Sequence, residues 1–525
     1  MALDVPDDAP RHRFMRYVRP PADQPSAQRG AGPLFPLRPN TRKLRVAVDV
    51  ETLGEPTQEI MRVLTRDEEV EPLLLVQNEG PEPTPWMQAL GIAQWYQSTF
   101  TTVAEAPKFM DSSTVGVSGY EGGRKTLTTS GHFFSVYALL DEAARAAYSD
   151  DAGITLADRH RAAALASASG AIEADVIVTA APTVGRDDVA DNDRVVSLTP
   201  TQLIPLFGHY LRMTGNSVLT TIKGQLVGGG TFLQTLNATS VADLYLAGIN
   251  ASTPHLNAIQ LMATLGGDRN LVRSMEAIAL RLSRAARAVD HLLAALSNGT
   301  STDKQRSDTS ETAAEALDRM LLYLCAAMDR YARVIRTLFD TALDPENQRC
   351  SLTSTDELRS IIAKFEPTDT VPLECLGSYA WVIGKLRNRI HSLPLDTHHQ
   401  LSRSYGSSTT VAMTLDGLSE LDPASTPLNQ DQLDRLGVWN AQSPNPFHPR
   451  AYAADIATLA TTLFRETLRY VEDCSHFIIR NKPLATITTP RHPVLGCWAD
   501  DPRPMPDAMP NELVYREMLG WAEFG

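Results

Sequence analysis

Near residue 268 the apolar residues of this chain change their period, and that change governs what the chain can fold into. Leu271, Met275, Ile278, Leu282, Ala285, Val289 and the pair Leu292–Leu293 recur at spacings of three and four. This is the stripe of an amphipathic helix, which must bury one face against a partner. Asn298-Gly299 ends the stripe with residues suited to positive φ, and residues 298–310, rich in Ser, Thr and Asp, read as a linker. A second stripe over 311–342 carries Leu317, Met320, Leu324, Met328, Tyr331, Ile335 and Leu338 and stops at Asp344-Pro345. A third helix is predicted over 372–391, with Pro394 just beyond it, and a fourth over 452–479. Amphipathic helices of this length predict an all-α helical bundle over residues 266–490. The stretch 392–450 is a long insertion between the last two helices. Thr409–Leu415 reads as a short strand within it, and His398 and His399 read as loop residues.

Upstream, strand and helix alternate. Leu44–Val50 is a β-rich run with Asp49 near its end, residues 56–65 read as a short helix, and Glu71–Val76 is a second apolar run. Helices are predicted over 131–148 and 157–169, strands over 174–179 and 194–198. Thr199-Pro200 then opens a helix, with Thr at the cap and Pro at the first position. The alternation predicts an α/β domain with a parallel sheet over residues 44–265. Two glycine-rich segments need a separate reading. Gly119–Thr126 approaches a phosphate-binding loop, but Arg124 stands where a glycine is required, so a glycine-rich hairpin is the expectation. Gly228, Gly229 and Gly230 mark a turn within 213–262, the least legible part of the chain.

Residues 1–43 are rich in proline, lack apolar periodicity, and cluster Arg11, His12, Arg13, Arg16 and Arg19. They read as a flexible leader, and residues 491–525 as a C-terminal extension. The formal net charge of −14 argues against broad, non-specific nucleic-acid binding, although a local basic groove remains compatible with it. Five cysteines, widely spaced and without a CxxC pair, indicate neither a disulfide framework nor a thiolate zinc site. A cytoplasmic location without membrane contact is the expectation.

The third helix ends in Lys385-Leu386-Arg387-Asn388-Arg389-Ile390-His391. Residues four apart share a helix face, so Arg387 and His391 can converge on one phosphate. A histidine moves protons near neutral pH, and an arginine fork matches phosphate oxygens. A solvated helix end is the bland alternative for this pair. The stretch resembles the signature of the HEPN superfamily, helical bundles found in toxins and antiviral ribonucleases, with a shorter Arg-to-His spacing than is usual there. The resemblance implies metal-independent RNA cleavage without a cofactor, with His391 as general acid or base, Arg387 stabilising the transition state and Asn388 orienting the site. It also implies a homodimer or larger homo-oligomer, and an antitoxin or defence partner.

Two basic stripes accompany it: Arg281, Arg284 and Arg287 on the first helix, and Arg330, Arg333 and Arg336 on the second. Together with Arg389 they are candidate RNA contacts, or else solvated helix faces. The upstream α/β order resembles a PIN-like nuclease domain, with Asp49, Asp141 and Glu142 as points of likeness. PIN nucleases hold divalent metal with clustered carboxylates. Here Ala180-Ala181-Pro182 follows Thr179 where an acid is expected, and Asp187, Asp188, Asp191 and Asp193 read as a polar loop, so no metal is expected. Three functions stay open: a toxin or antiviral ribonuclease, a catalytically inactive RNA-binding or scaffolding subunit, and a regulatory partner of a nucleotidyltransferase.

Overall fold

In the computed structural model the described residues are 43–66, 69–77, 80–100, 112–135, 156–181, 195–214, 219–225, 231–237, 241–299, 309–339, 371–390, 397–401, 409–414, 426, 428–441, 451–481 and 519. The N-terminal part contains β1 (Leu44–Asp49), α1 (Val50–Leu53), α2 (Gln58–Leu64), β2 (Val70–Gln77), α3 (Thr84–Leu90), β3 (Gln94–Thr99), β4 (Ser112–Glu121) and β5 (Arg124–Ser135). It continues with α4 (Leu156–Ala171), β6 (Val176–Val178), β7 (Val196–Leu198), α5 (Pro200–Thr214) and the paired strands β8 (Leu219–Gln225) and β9 (Thr231–Asn237). The helical part holds α6 (Val241–Ser252), α7 (Pro254–Leu265), α8 (Arg269–Gly299), α9 (Thr309–Phe339) and α10 (Val371–Ile390). Then come β10 (Thr397–Leu401), β11 (Thr409–Thr414), α11 (Gln430–Arg435), β12 (Val438–Ala441), β13 (Ala451–Asp455) and α12 (Ile456–Asn481).

The main sheet has the order β5-β4-β3-β2-β1-β6-β7. Strands β3, β2, β1, β6 and β7 are parallel, and β4 and β5 add an antiparallel edge. The class is therefore α/β with a mixed, mostly parallel sheet, followed by a helical region. The antiparallel edge corrects the expectation of a purely parallel sheet. It also corrects the start of the helix predicted over 131–148, since β5 runs on through Ser135. Residues 136–148 lie outside the described residues. Gly122 and Gly123, at φ of 56° and 75°, form the tight β4–β5 turn. Two consecutive positive-φ residues match the twist of a hairpin, as the sequence reading expected.

Side-chain alternation divides the burial between the two faces of the sheet. Ala47, Leu73, Leu75, Tyr96, Val117 and Ile177 pack with Leu165, Ala168 and Ile172 on the α4 side. Val46, Val48, Leu74, Val76, Val178 and Leu198 face the other way, into a core that continues through Phe207 and Leu211 of α5 into the helical region. Gly266 and Gly267 separate α7 from α8, Gly267 at φ 74°. The Asp268 carboxylate then accepts from the backbone of Asn270 and Leu271 at 3.1 and 3.0 Å, capping α8. Helices α8 and α9 form a long hairpin, and α10 and α12 pack against α9.

The insertion contains β10, β11, α11 and β12, which with β13 make an antiparallel sheet of order β10-β11-β13-β12. Strand β10 lies against α9 and β11 against α8. The strand expected near Thr409 is present, whereas His398 and His399 belong to strand β10 rather than a loop.

A buried polar cluster fixes α8 to the sheet side. Asp290 of α8 is wholly buried. Its carboxylate accepts from Arg212 Nε at 2.6 Å, Tyr245 Oη at 2.6 Å and His209 Nδ1 at 2.6 Å, tying α5 and α6 to α8. Burial alone would raise the Asp290 pKa, but Arg212 and His209 hold it well below the usual carboxylate range. Burial keeps His209 below its ordinary value despite that carboxylate, so a neutral imidazole donates from Nδ1.

The unfolded imidazole takes up a proton below about pH 6.5, whereas the folded one resists until lower pH. Unfolding therefore binds a proton in that window, and stability falls as pH drops below 6.5. Asp290 adds stability that is lost only in stronger acid, as pH falls below the unfolded carboxylate value. Asp290→Ala, which leaves Arg212 buried without its carboxylate, is expected to cost about 3–5 kcal/mol in urea unfolding. His209→Asn, which keeps an N–H toward Asp290, is expected to flatten the loss of stability between about pH 6.5 and 5. An unchanged profile would contradict this reading of the cluster.

Candidate nucleic-acid interface

Helices α8 and α9 run antiparallel, and their outward sides meet along a seam marked by cross-helix contacts. Arg330 Nη2 donates to Ser274 Oγ at 2.8 Å, and Arg281 Nη1 donates to the Ala326 carbonyl at 2.6 Å. Further along, the Arg284 guanidinium lies 6.0 Å from the Tyr323 ring centroid. Beyond that, Arg287 and Arg319 both lie near His291. Loss of water lowers the His291 pKa, and these two arginines lower it further. From Ser274 to His291 the seam extends roughly 25 Å at the α-helical rise.

Arg281, Arg284, Arg287, Arg319, Arg330 and Arg333 thus share one surface. Among the described residues the acids near them include Asp329, Glu315, which is 3.9 Å from Arg319 and largely exposed, and Asp318, whose pKa burial raises and Glu311 and Glu315 raise further, with Glu276 exposed nearby on α8. The apolar members Leu280 and Leu322 are exposed at 45% and 39%. An arginine-rich strip with an aromatic ring and exposed aliphatic groups offers charge to a phosphate backbone and flat surface to bases.

At one point the seam opens into a cavity of about 300 Å³ lined by Ala277, Arg281, Ala326, Asp329, Arg330 and Arg333. The two sequence stripes therefore converge in part. Arg281, Arg330 and Arg333 line one cavity, and Arg284 and Arg287 continue the same surface beyond it. Desolvation lowers the pKa of Arg281, and the neighbouring Arg330 lowers it further.

Arg387 lies near the end of α10 and donates to its neighbour Asn388 Oδ1 at 3.2 Å. Its charge acts on Cys325 of α9. Burial pushes that thiol up to about 12, Asp329 adds to the rise and the Arg387 charge opposes it. Arg389 is two residues further on, about 200° around the helix from Arg387, and so leaves that face. His391 lies outside the described residues.

The carboxyl end of β1 forms a second polar centre, at the point where the strand order reverses and ligands of open α/β sheets commonly bind. Asp49 is fully buried there. Its Oδ1 accepts from Gln77 Nε2 at 2.7 Å, and its Oδ2 accepts from Thr52 Oγ1 at 2.6 Å and Thr179 Oγ1 at 2.7 Å. Arg161 donates to Gln77 Oε1 at 2.7 Å. Glu51 accepts from the Gln77 backbone at 3.1 Å, and burial raises its pKa against that bond, with Asp49 adding to the rise. The backbone N–H groups of Ala180 and Ala181 donate to the Thr52 and Thr179 hydroxyls, respectively. Among the described residues no group of three His, Cys, Asp or Glu is placed to hold a metal ion. Asp141, Glu142, Asp187, Asp188, Asp191 and Asp193 lie outside the described residues. Sequence reasoning missed Thr52, Gln77 and Arg161, whose neutral and basic groups carry no motif on their own.

Three donors on one buried carboxylate leave little capacity for a cation. Calorimetric titration with Mn²⁺ is expected to reveal no site that depends on Asp49, and micromolar binding abolished by Asp49→Ala would contradict this. Among the described residues, no helix is long and apolar enough to cross a membrane. No known protein-family model, no curated protein and no solved structure matches this chain.

Proposed function

We propose that this protein is an RNA-binding subunit of a cytoplasmic toxin or antiviral-defence system, and that it holds RNA along the α8–α9 seam. The observation that carries this reading is the convergence of arginines on one surface of a chain whose formal net charge is −14. Charge concentrated on one face attracts a polyanion while the rest of the molecule repels it. Arg284 and Arg287 contact phosphates, and Tyr323 offers a ring for base stacking. The choice of RNA among polyanions rests on the HEPN-like and PIN-like resemblances. The Asp49 centre serves the scaffold rather than metal chemistry.

A second reading is favoured by one observation, the action of the Arg387 charge on Cys325 of α9, the helix that carries Arg330 and Arg333. In it the bound strand is cleaved. His391 acts as general acid or base on the attacking 2′-hydroxyl, Arg387 stabilises the charge that develops on phosphorus, and Asn388 holds the orientation. A homodimer would bring two such motifs together.

Single-stranded RNA binding measured across a salt series tests the first reading. The logarithm of the association constant is expected to fall linearly with the logarithm of salt, by about 0.7 per phosphate contact. Arg284→Gln and Arg287→Gln should each make that slope shallower by about this amount. Binding that ignores salt, or that survives both substitutions unchanged, would contradict the proposal. If the second reading holds, Arg387→Ala and His391→Ala each lower cleavage by about 10² to 10⁴ while EDTA has no effect. Cleavage that survives both changes but stops in EDTA would locate the chemistry elsewhere.

A further inference from the structure

The cavity between α8 and α9 is more concentrated in charge than a backbone track requires. Arg281, Arg330 and Arg333 surround a volume of about 300 Å³, with Asp329 as the one carboxylate among its described lining residues. Two of the guanidiniums are fixed in place by the bonds Arg281 Nη1 to Ala326 O and Arg330 Nη2 to Ser274 Oγ. Arg333 Nε is buried with no hydrogen-bond partner among the described residues. Three guanidiniums meet in this concave site with one carboxylate among its described lining residues, and like charges so close repel one another, so the arrangement favours an anion between them. A backbone phosphodiester offers one negative charge and two terminal oxygens. A phosphomonoester carries about −1.5 to −2 at pH 7 and offers three acceptor oxygens. Arginine forks bind such a group through paired N–H contacts. The volume is at the lower end for ligand pockets, enough for a phosphate with part of its sugar.

We propose that this cavity is a phosphomonoester site, which takes the terminal phosphate of a nucleic-acid strand or the phosphate of a free nucleotide. The proposal rests in part on the RNA-binding reading, because the cavity opens on the same seam. A strand whose end is seated here would run on past Arg284, Tyr323 and Arg287. The protein would then distinguish phosphorylated from hydroxyl ends while remaining tolerant of sequence.

The full-length protein is titrated into one fluorescent oligoribonucleotide prepared with a 5′-phosphate, with a 3′-phosphate, or with hydroxyls at both ends. Adenosine 5′-monophosphate is titrated separately by calorimetry. One of the phosphorylated strands is expected to bind at least about tenfold more tightly than the hydroxyl form, a difference of about 1.4 kcal/mol. Arg333→Gln and Arg281→Gln should erase the difference, Arg333→Lys should retain part of it, and Arg284→Gln should weaken all strands alike. Circular dichroism confirms that each variant is folded. Equal binding of all three strands with no binding of the nucleotide overturns the proposal and leaves the RNA reading standing. A preference that survives both glutamine substitutions also overturns it, because the discriminating site is then elsewhere. Binding of the nucleotide but of no strand, lost in Arg333→Gln, supports the cavity with a free nucleotide as its ligand and removes the RNA reading. Absence of binding by every probe removes both.

Discussion

The hydrogen bonds of Asp290 fix the position of α8, and the rest of the architecture depends on that position. A buried carboxylate is tolerated only where its lone pairs are filled and its charge is balanced. Here the partners come from α5, which follows the last strand of the main sheet, and from α6. The helix cannot rotate or slide without stranding a charge. With Asp290, Val289, Ala286 and Leu282 turned inward, the residues left facing outward include Arg273, Glu276, Leu280, Arg284 and Arg287, with Arg281 at the boundary toward α9. The arginine seam is thus the reverse side of the constraint that attaches the helical region to the sheet.

That arrangement reconciles an acidic chain with a basic surface. Net charge describes long-range repulsion and solubility, while recognition depends on where charges are placed. Inside the fold, Arg212 is matched closely by Asp290. Among the described residues of the α8–α9 seam the arginines outnumber the acids beside them, and part of the surface is concave. Like charges that are partly shielded from water repel strongly, so an arrangement of this kind is better suited to a bound anion than to bulk solvent. The Asp49 centre shows the opposite logic. Its carboxylate is satisfied by an amide and two hydroxyls, a stable arrangement in which little capacity remains for a ligand.

Legibility in the sequence followed the range of the interactions. Strand β1, helix α2 and strand β2 were readable because period-two and period-four apolar runs are local. The long helices α8, α9, α10 and α12 were readable for the same reason, and Thr199-Pro200 marked the start of α5 through cap chemistry. The Thr-rich run of β5 lacks an apolar alternation, so its end was read as helix. The sheet of the insertion is built from short strands far apart in sequence, and only β11 was anticipated. The arginine stripes were visible as spacing, but the meeting of Arg281 with Arg330 and Arg333 depends on the register of an antiparallel hairpin. The contact of Asp290 with His209 joins residues whose pairing no local pattern encodes. Of the Arg387 and His391 pair, the described residues include the arginine.

The central claim is that RNA lies on the α8–α9 seam, and photochemical crosslinking of a bound oligoribonucleotide tests it most directly. Tyr323 is the aromatic ring beside Arg284 on that surface, and it stands where a stacked base would lie. The account predicts that peptides containing Tyr323 carry the crosslinked nucleotide, and that Arg284→Gln reduces the yield. Crosslinks confined to the main sheet, with none on α8 or α9, would contradict it.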